Sequence, residues 1–240
     1  MEHGREAHVG SGQGMSVELF MIDGENRREA LDVVSKVAHL LPAGFFDRLN
    51  LCSPFEIDDS AFNVAGLTVH CHYANINQPQ GHTPLNLFYI FGLPGLMNAD
   101  HAMLIHRDGY PVNPEKWDPD FLKYDYIGSI WPEWMVEDRP EHCVGSSGFC
   151  IRSKRLAQWA SQIPYDGQAV WEDMWLARNL RDAAEKAGFT FAPADLAARF
   201  SLECLVKRYP RTLKDVFGFH RPKGSSTLKP LPPGSEILDQ

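Results

Sequence analysis

The sequence lacks any apolar run near the roughly 20 residues that are needed to cross a bilayer. Residues 1–15 are rich in glycine and histidine and contain no apolar core of the kind that a secretory signal requires. We therefore expect a soluble, cytoplasmic protein with no membrane span. Cys-x-x-Cys pairs are also absent, which argues against a zinc site and a disulfide framework. Free thiols are expected instead at Cys52, Cys71, Cys143, Cys150 and Cys204.

Several catalytic motifs are missing as well. There is no Gly-x-Ser-x-Gly, His-Glu-x-x-His or Walker lysine motif, so esterase, zinc protease and nucleoside-triphosphatase functions are disfavoured. The formal net charge of -8 does not suit a partner that is bound mainly through a phosphate backbone. One basic cluster keeps a nucleic-acid partner open without favouring it, and it contains Lys207, Arg208, Arg211, Lys214 and Arg221.

What the chain does have is enough apolar material for one sizeable core, with 240 residues of which 44% are hydrophobic and 11% aromatic. Short apolar runs predict a first strand at Val17–Ile22 and strands over 45–52 and 67–71, and helical spacing of apolar residues predicts a helix over 27–41. This order is typical of an α/β layer fold with a largely parallel sheet. His70 and His72 would share one strand face, but no third ligand accompanies them, so an ordinary histidine pair is the simpler interpretation.

The second half of the chain continues the same pattern with more irregular connections. A helix over 84–97 leads into a buried strand over 102–105, and an aromatic-rich irregular stretch follows at 121–134. Further elements are a strand ending at 152, helices over 153–163 and 172–187, a late strand over 200–205, and a loop that holds Gly218–His220. We expect one domain over 16–222 between a flexible tail at 1–15 and an extended tail at 223–240.

The buried strand over 102–105 ends in His106, Arg107, Asp108 and Gly109. Ligands of open α/β sheets bind just beyond the carboxyl ends of strands, so Asp108 is a candidate metal or phosphate contact. Gly109 has no Cβ and lets another group approach the backbone closely. Taken alone, these residues are more simply explained as a strand that runs into a turn capped by an aspartate.

Two other segments carry candidate chemistry. Glu172 and Asp173 open a helix between tryptophans; acids there complement the helix dipole, but a carboxylate against aromatic walls is also partly desolvated and suited to act as a general base. A turn with free N–H groups and hydroxyls could hold a sugar or phosphate oxygen, and it consists of Gly145, Ser146, Ser147 and Gly148. His220 is a candidate metal ligand, although a lone loop histidine is more often a surface residue.

The order of several short motifs resembles that of an uncharacterised family of GT-A-type glycosyltransferase-like proteins. These motifs are Asp108-Gly109-Tyr110, Asn113-Pro114, Trp117-Asp118, Asp125-Tyr126-Ile127-Gly128, Trp131-Pro132, Val144-Gly145, Gly148-Phe149, Glu172-Asp173, Ala198-Arg199-Phe200-Ser201 with Glu203, and Gly218-Phe219-His220. The resemblance implies a single GT-A-like, Rossmann-like α/β domain with a mostly parallel central sheet flanked by helices. It also implies a nucleoside-diphosphate sugar as donor and a carbohydrate or other hydroxyl-bearing molecule as acceptor.

By the same resemblance, Ile22 and Asp23 would meet the nucleotide, and Asp108 would be the second acid of the family's Asp-x-Asp motif. His106 stands where the first acid is expected. A Mn²⁺ or Mg²⁺ ion would then be held by Asp108 and His220, partly by His106, or be replaced by a cation such as Arg107 near the phosphates.

The resemblance assigns the remaining roles to the later motifs. Asp173 would be the general base of an inverting transfer and Glu172 would orient a substrate, while Trp131 and Trp134 would stack on an acceptor ring or be buried in an aromatic cluster. Two alternatives remain open: a non-catalytic module that binds nucleotide sugars or carbohydrates, and a glycosyltransferase that acts on modified nucleic-acid bases.

Overall fold

The structure is a computed structural model that describes residues 15–24, 27–54, 63–76, 83–165 and 171–220. The two expected tails lie outside these ranges, apart from Met15. Among the helices in the described ranges, none is both long and apolar enough to cross a bilayer.

A seven-stranded sheet forms the centre of the described molecule, in the order β3-β4-β2-β1-β5-β10-β7. Its four middle strands β4, β2, β1 and β5 are parallel, and antiparallel pairs add β3, β10 and β7 at the two sides. The strands are β1 Val17–Ile22, β2 Arg48–Ser53, β3 Asn63–Val64, β4 Leu67–Tyr73, β5 His101–Ile105, β6 Gly109–Pro111, β7 Tyr126–Ile127, β8 Ser129–Ile130, β9 Val144–Gly145, β10 Phe149–Ser153, β11 Ser201–Leu202 and β12 Gly218–His220.

Helices cover both faces of this sheet. They are α1 Arg27–Leu40, α2 Thr83–Leu87, α3 Leu93–Leu96, α4 Lys154–Ala160, α5 Glu172–Met174, α6 Arg181–Lys186 and α7 Ala194–Phe200, with π-helical turns at Phe88–Gly92 and Trp175–Asn179. Short 3₁₀ turns occur at Pro114–Lys116, Pro119–Lys123, Glu133–Met135, Pro140–His142 and Leu213–Asp215. The expected single helix over 172–187 is therefore divided, because the π-helical turn ends at Asn179 and α6 begins only at Arg181.

The local sequence explains the central elements. All six residues of β1 and all five of β5 are buried, as expected for parallel strands covered on both faces. Alternate side chains of β1 enter two different cores: Leu19 and Met21 pack in the core with α1, whereas Phe20 and Ile22 pack in the core with α2 and α4. These strands and α1 were predicted to within a residue or two.

The segment Gly218–His220 differs from the expectation, because it is a strand and not a loop. β12 lies in a small three-stranded sheet between β11 and β6, parallel to the first and antiparallel to the second. In this register His220 is opposite Gly109. The late strand is shorter than predicted, since only Ser201 and Leu202 pair.

The structure also bears on the predictions for the cysteines, the basic cluster and the strand histidines. The five cysteines are free, with Cys52 and Cys150 buried and the others partly buried. In the described part of the basic cluster, Lys207, Arg208 and Lys214 are exposed. Arg211 is instead buried and donates to the carbonyl oxygens of Tyr209 and Ser201. His72 bonds to Asn50 at 3.0 Å, and the strand histidines join no metal-like group of described residues.

Asp125 ties the edge of the sheet to the chain that packs against it. Its buried carboxylate accepts hydrogen bonds from Ser153 Oγ at 2.5 Å, Arg155 Nε at 2.6 Å and the backbone N–H of Thr190 at 2.8 Å. Because a buried carboxylate is stable only when its lone pairs are filled, these contacts fix β10, the start of α4 and the segment near Thr190 relative to one another.

We expect Asp125→Asn to lower the free energy of unfolding by about 2–4 kcal/mol, because it removes charge-assisted bonds inside the protein. The measurement is urea unfolding followed by circular dichroism. Asp120→Asn is the matched control, since the Asp120–Lys123 ion pair is exposed, and its unfolding midpoint should equal that of the wild type. Equal midpoints for both variants would contradict the role given to Asp125.

Candidate functional site

A cavity of about 490 Å³ opens at the carboxyl edge of the parallel strands. Ile22 and Asp23 reach it from the end of β1, Asp108 from the turn after β5, and Asp173 from the start of α5. The two carboxylates singled out from the sequence, on Asp108 and Asp173, therefore line one cavity. This edge is where ligands bind in open α/β sheets.

His220 enters the cavity wall through a slot that two glycines leave open. A Cβ on Gly148 would lie 2.0 Å from Nε2 of His220, and a Cβ on Gly109 would lie 2.9 Å from its Cδ2. Strand register creates the slot, since Gly109 is opposite His220 in β6–β12 and Gly148 directly precedes β10 beside β5. A side chain at either glycine would displace the imidazole.

Two polar groups fix the rotation of this imidazole. Nδ1 of His220 lies 2.8 Å from Oε1 of Glu203 and 3.2 Å from Oγ of Ser146, a buried residue with φ +94°. In the neutral ring, the carboxylate holds the proton on Nδ1 and leaves Nε2 as a ligand atom, 4.0 Å from Oδ1 of Asp108. Burial lowers the pKa of His220, but Glu203, Asp108 and Asp173 outweigh it and raise the pKa above its ordinary value.

His106 is a second histidine in the wall of this cavity. Its Nε2 lies 2.5 Å from the hydroxyl of Tyr89, and its ring centroid is 5.9 Å from that of His220. Burial and the nearby His220 lower the pKa of His106 to about 4, although Asp108 opposes the shift. His106 is therefore neutral at physiological pH, which is the form that binds metals.

One ligand atom each from His106, Asp108 and His220 lies within 4.8 Å of the other two. Two imidazoles and a carboxylate are a donor set that fits a divalent transition-metal ion, with further coordination positions open to the cavity. The residues predicted as metal ligands are thus brought together.

Arg107 occupies the end of the cavity near β1. Its guanidinium is ion-paired with Asp23, and its Nη1 lies 2.7 Å from Oε2 of Glu29. All three side chains line the cavity. The arginine therefore presents a positive charge that is already shared by two acids, next to the strand end where the sequence predicts the nucleotide.

Asp173 is a buried carboxylate that faces the cavity, with its side chain held by the backbone N–H of Met174 at 2.8 Å. Burial raises its pKa to about 7, and the neighbouring acids Glu172 and Glu203 add to this shift. A carboxyl group with that pKa exchanges protons near neutral pH, as a general base must.

Glu172 does not line the cavity, although the sequence assigned it to substrate orientation. Its buried carboxylate is ion-paired with Arg152, whose guanidinium lies 5.2 Å from the ring centre of Tyr89 and 5.4 Å from that of Tyr126. Adjacent acids in a helix point in different directions, so Glu172 anchors α5 to β10 while Asp173 faces the cavity.

Of the other residues that the sequence predicts as ligand contacts, some line the cavity and some do not. Ser147 and Trp131 line the cavity, but only 3% of Trp131 is exposed. Trp134 is 66% exposed and is not in the cavity wall, and Gly145 packs under the indole of Trp131, where a Cβ would lie 1.8 Å from Cζ2. Tyr89 and Asn86 were given no role from the sequence, and the one signal for Glu203 was its place in the motif that begins at Ala198.

The family model described as "Protein of unknown function (DUF5672)" matches residues 95–220, which is more than half of the chain. The chain belongs to this family. The DUF5672 region contains the metal-like group, Asp173 and Glu203, whereas Ile22, Asp23 and Glu29 precede it. No curated protein matches the sequence significantly.

Solved structures of glycosyltransferases are similar to this DUF5672 member. The galactosyltransferase LgtC, in complex with donor and acceptor sugar analogues, is 11% identical with a TM-score of 0.51, over 92% of this chain and 94% of that one. The mannosyltransferase PcManGT from Pyrobaculum calidifontis, in complex with GDP-Man and Mn²⁺, is 7% identical with a TM-score of 0.50, over 75% of this chain and 55% of that one. Glucosyl-3-phosphoglycerate synthase from Mycobacterium tuberculosis, in a complex that includes Mn²⁺ and UDP, is 16% identical with a TM-score of 0.47, over 75% of this chain and 69% of that one.

At such identities the likeness shows a shared fold. The predicted fold class is confirmed: the DUF5672 member is an α/β protein whose large central sheet is flanked by helices, as in GT-A glycosyltransferases. 

The glycine slot yields a direct test. We expect Gly148→Ala to lower the free energy of unfolding by about 1–3 kcal/mol, because its Cβ overlaps the imidazole of His220. Gly95→Ala is the control, since Gly95 lies in α3 with open space around it, and should change stability by no more than about 1 kcal/mol in the favourable direction. Urea unfolding measures both. A Gly148→Ala protein as stable as the wild type would show that the slot is not needed.

Proposed function

We propose that the protein is a glycosyltransferase that moves a sugar from a nucleoside-diphosphate sugar to an acceptor hydroxyl, within one GT-A-like domain. The observation that carries the proposal is the shared cavity of Asp108 and Asp173 at the carboxyl edge of the sheet. The fold that the protein shares with a galactosyltransferase and a mannosyltransferase supports it. Because one fold can host many functions, the chemical groups that line the cavity are the stronger support.

The donor would lie between the end of β1 and the turn after β5. Asp23 would contact the ribose or base, while Arg107 and the group of His106, Asp108 and His220, which line the same cavity, would contact the diphosphate. A divalent ion held by those three side chains would supply positive charge to the departing diphosphate. Ser147, which also lines the cavity, offers a hydroxyl for a sugar or phosphate oxygen.

The acceptor would lie against Asp173. A sugar hydroxyl is a weak nucleophile, and Asp173 would accept its proton as the new glycosidic bond forms, which is the inverting arrangement. Trp131, Met135, Trp171 and Met174 line the same cavity and offer apolar surface to a sugar ring. Glu172 would act indirectly, by holding α5 in place through Arg152.

The decisive experiment is a thermal-shift screen of nucleoside diphosphates and their sugars, each with and without Mn²⁺. We expect one donor to raise the melting temperature, because a ligand that binds only the folded state stabilises it. Asp108→Asn should weaken binding of this donor by about tenfold or more, since it removes a charge at the proposed diphosphate site. Asp173→Asn should leave donor binding within about twofold and lower transfer by about 100-fold or more.

Three outcomes are informative. Release of free nucleoside diphosphate with a new glycoside of inverted configuration, detected by NMR, supports the proposal. A donor that binds but is neither transferred nor hydrolysed, with any acceptor tested, favours a non-catalytic binding module. A rate of sugar transfer by Asp173→Asn within a few-fold of the wild-type rate contradicts the assignment of Asp173 as the base. Asp138→Asn is the matched control, because Asp138 is an exposed aspartate on the surface.

The pH profile follows from the pKa of Asp173. The base must be ionised, and its pKa is raised to about 7, so kcat/KM should rise about tenfold per pH unit below that value and level off above it. Steady-state rates across this range, with the fold monitored by circular dichroism at each pH, provide the measurement. A profile that is flat through neutral pH would exclude Asp173 as the titrating base.

A further inference from the structure

The metal-like group differs in chemistry from the site that the motif resemblance implies. An Asp-x-Asp motif offers two carboxylates, whereas this chain offers one carboxylate on Asp108 and two imidazoles, on His106 and His220. Ligand type is a main determinant of which divalent ion a site prefers. The histidine at position 106 is therefore a substitution with a chemical consequence.

The surroundings of His106 show a side chain that is held in place. Its Nε2 lies 2.5 Å from the hydroxyl of Tyr89, and that hydroxyl lies 3.4 Å from the carbonyl oxygen of Ser147. If Tyr89 donates to Ser147, its oxygen accepts the Nε2 proton of His106, and Nδ1 keeps the free lone pair. Tyr89 itself is fully buried, so its ring cannot move away without opening the core.

The second imidazole is held at least as firmly. The glycine slot fixes the ring of His220, and Glu203 binds its Nδ1 at 2.8 Å. Carboxylate partners of this kind orient metal-binding histidines and raise the basicity of the ligand nitrogen. Both nitrogen donors thus have supporting contacts, as expected of a built site.

Another group of similar composition provides a contrast. His142, Asp182 and Glu185 also approach one another, but Asp182 is paired with Arg139 and Glu185 with Arg181. Their charges are compensated by arginines. In the group of His106, Asp108 and His220, Oδ1 of Asp108 lies 4.0 Å from Nε2 of His220, and the adjacent Arg107 is ion-paired with Asp23 and Glu29.

We infer that the site selects a later first-row transition ion over Mg²⁺, with affinities that increase in the order Mg²⁺, Mn²⁺, Co²⁺. Mg²⁺ is a hard cation that prefers oxygen ligands and water, whereas imidazole favours the later ions. The inference deepens the donor side of the proposed function and rests on it for the ion's task beside the diphosphate. The expected size of the preference over Mg²⁺ follows from the two imidazoles, whereas the order of Mn²⁺ and Co²⁺ is common to nitrogen and oxygen sites in general.

The test uses the full chain and metal ions alone. Free Mn²⁺ is counted by electron paramagnetic resonance while Co²⁺ or Mg²⁺ is added as competitor. We expect Co²⁺ to displace Mn²⁺ at a lower concentration than the Mn²⁺ present, and Mg²⁺ to require at least about a tenfold excess. His106→Asp restores the two-acid arrangement, and the ratio of Mg²⁺ to Co²⁺ affinity should increase by about tenfold or more.

His39→Asp is the matched control, because His39 is exposed on α1 and the charge change is the same. It should leave the ranking unchanged. Mg²⁺ competing as well as Co²⁺ in the wild type would overturn the inference, and so would a chain that binds no Mn²⁺. The wild-type ranking requires no variant, so it decides the matter even where His106→Asp fails to fold. A correct ranking without sugar transfer would instead count against the proposed function alone.

Discussion

The position of one imidazole depends on two side chains being absent. His220 occupies space that a Cβ on Gly109 or Gly148 would fill, and the three residues come from β6, β12 and the turn before β10. Protein interiors are close-packed, so the ring cannot shift without moving these backbones. The metal-like group and the contact with Glu203 both follow from this arrangement, which makes backbone spacing the primary constraint on the site.

Loss of solvent then sets the chemistry of the side chains in the cavity. The same burial that lowers the pKa of His106 raises the pKa of Asp173, because each group is driven towards its uncharged form. For the histidine, that form is a ligand. For the carboxyl group of Asp173, burial brings the pKa close to neutral pH. One physical cause therefore leaves a neutral imidazole and a carboxyl group that titrates near neutral pH in the same cavity.

The sequence predicted the parts of the structure that depend on local pattern. Val17–Ile22 was placed correctly because residues 19–22 form a continuous apolar run, which is typical of a buried parallel strand. The start of the helix predicted over 153–163 was also placed correctly, and there the hydroxyl of Ser153 accepts the N–H of Leu156 at 3.2 Å. What it missed depends on distant pairing. β12 has three residues, and its partner β6 lies more than 100 residues earlier, so Gly218–His220 carried only turn signals.

The same limit applies to the site. Asp108 and Asp173 could be found because each follows a recognisable element boundary, but the sequence could not show that Glu172 is paired with Arg152 and turned from the cavity. Trp134 was assigned by residue type, and its side chain is exposed away from the cavity. Orientation of a side chain depends on its packing neighbours, which spacing along the chain does not specify.

The ion pair between Arg152 and Glu172 limits how this fold can diversify. Asp173 is covalently next to Glu172, so the aim of the cavity carboxylate is fixed by a contact buried beneath it. Replacing one partner strands a charge in the interior, whereas replacing both with apolar residues keeps the fold and frees the helix start to settle differently. A designer who wishes to reshape the cavity at this helix would therefore exchange the two residues together.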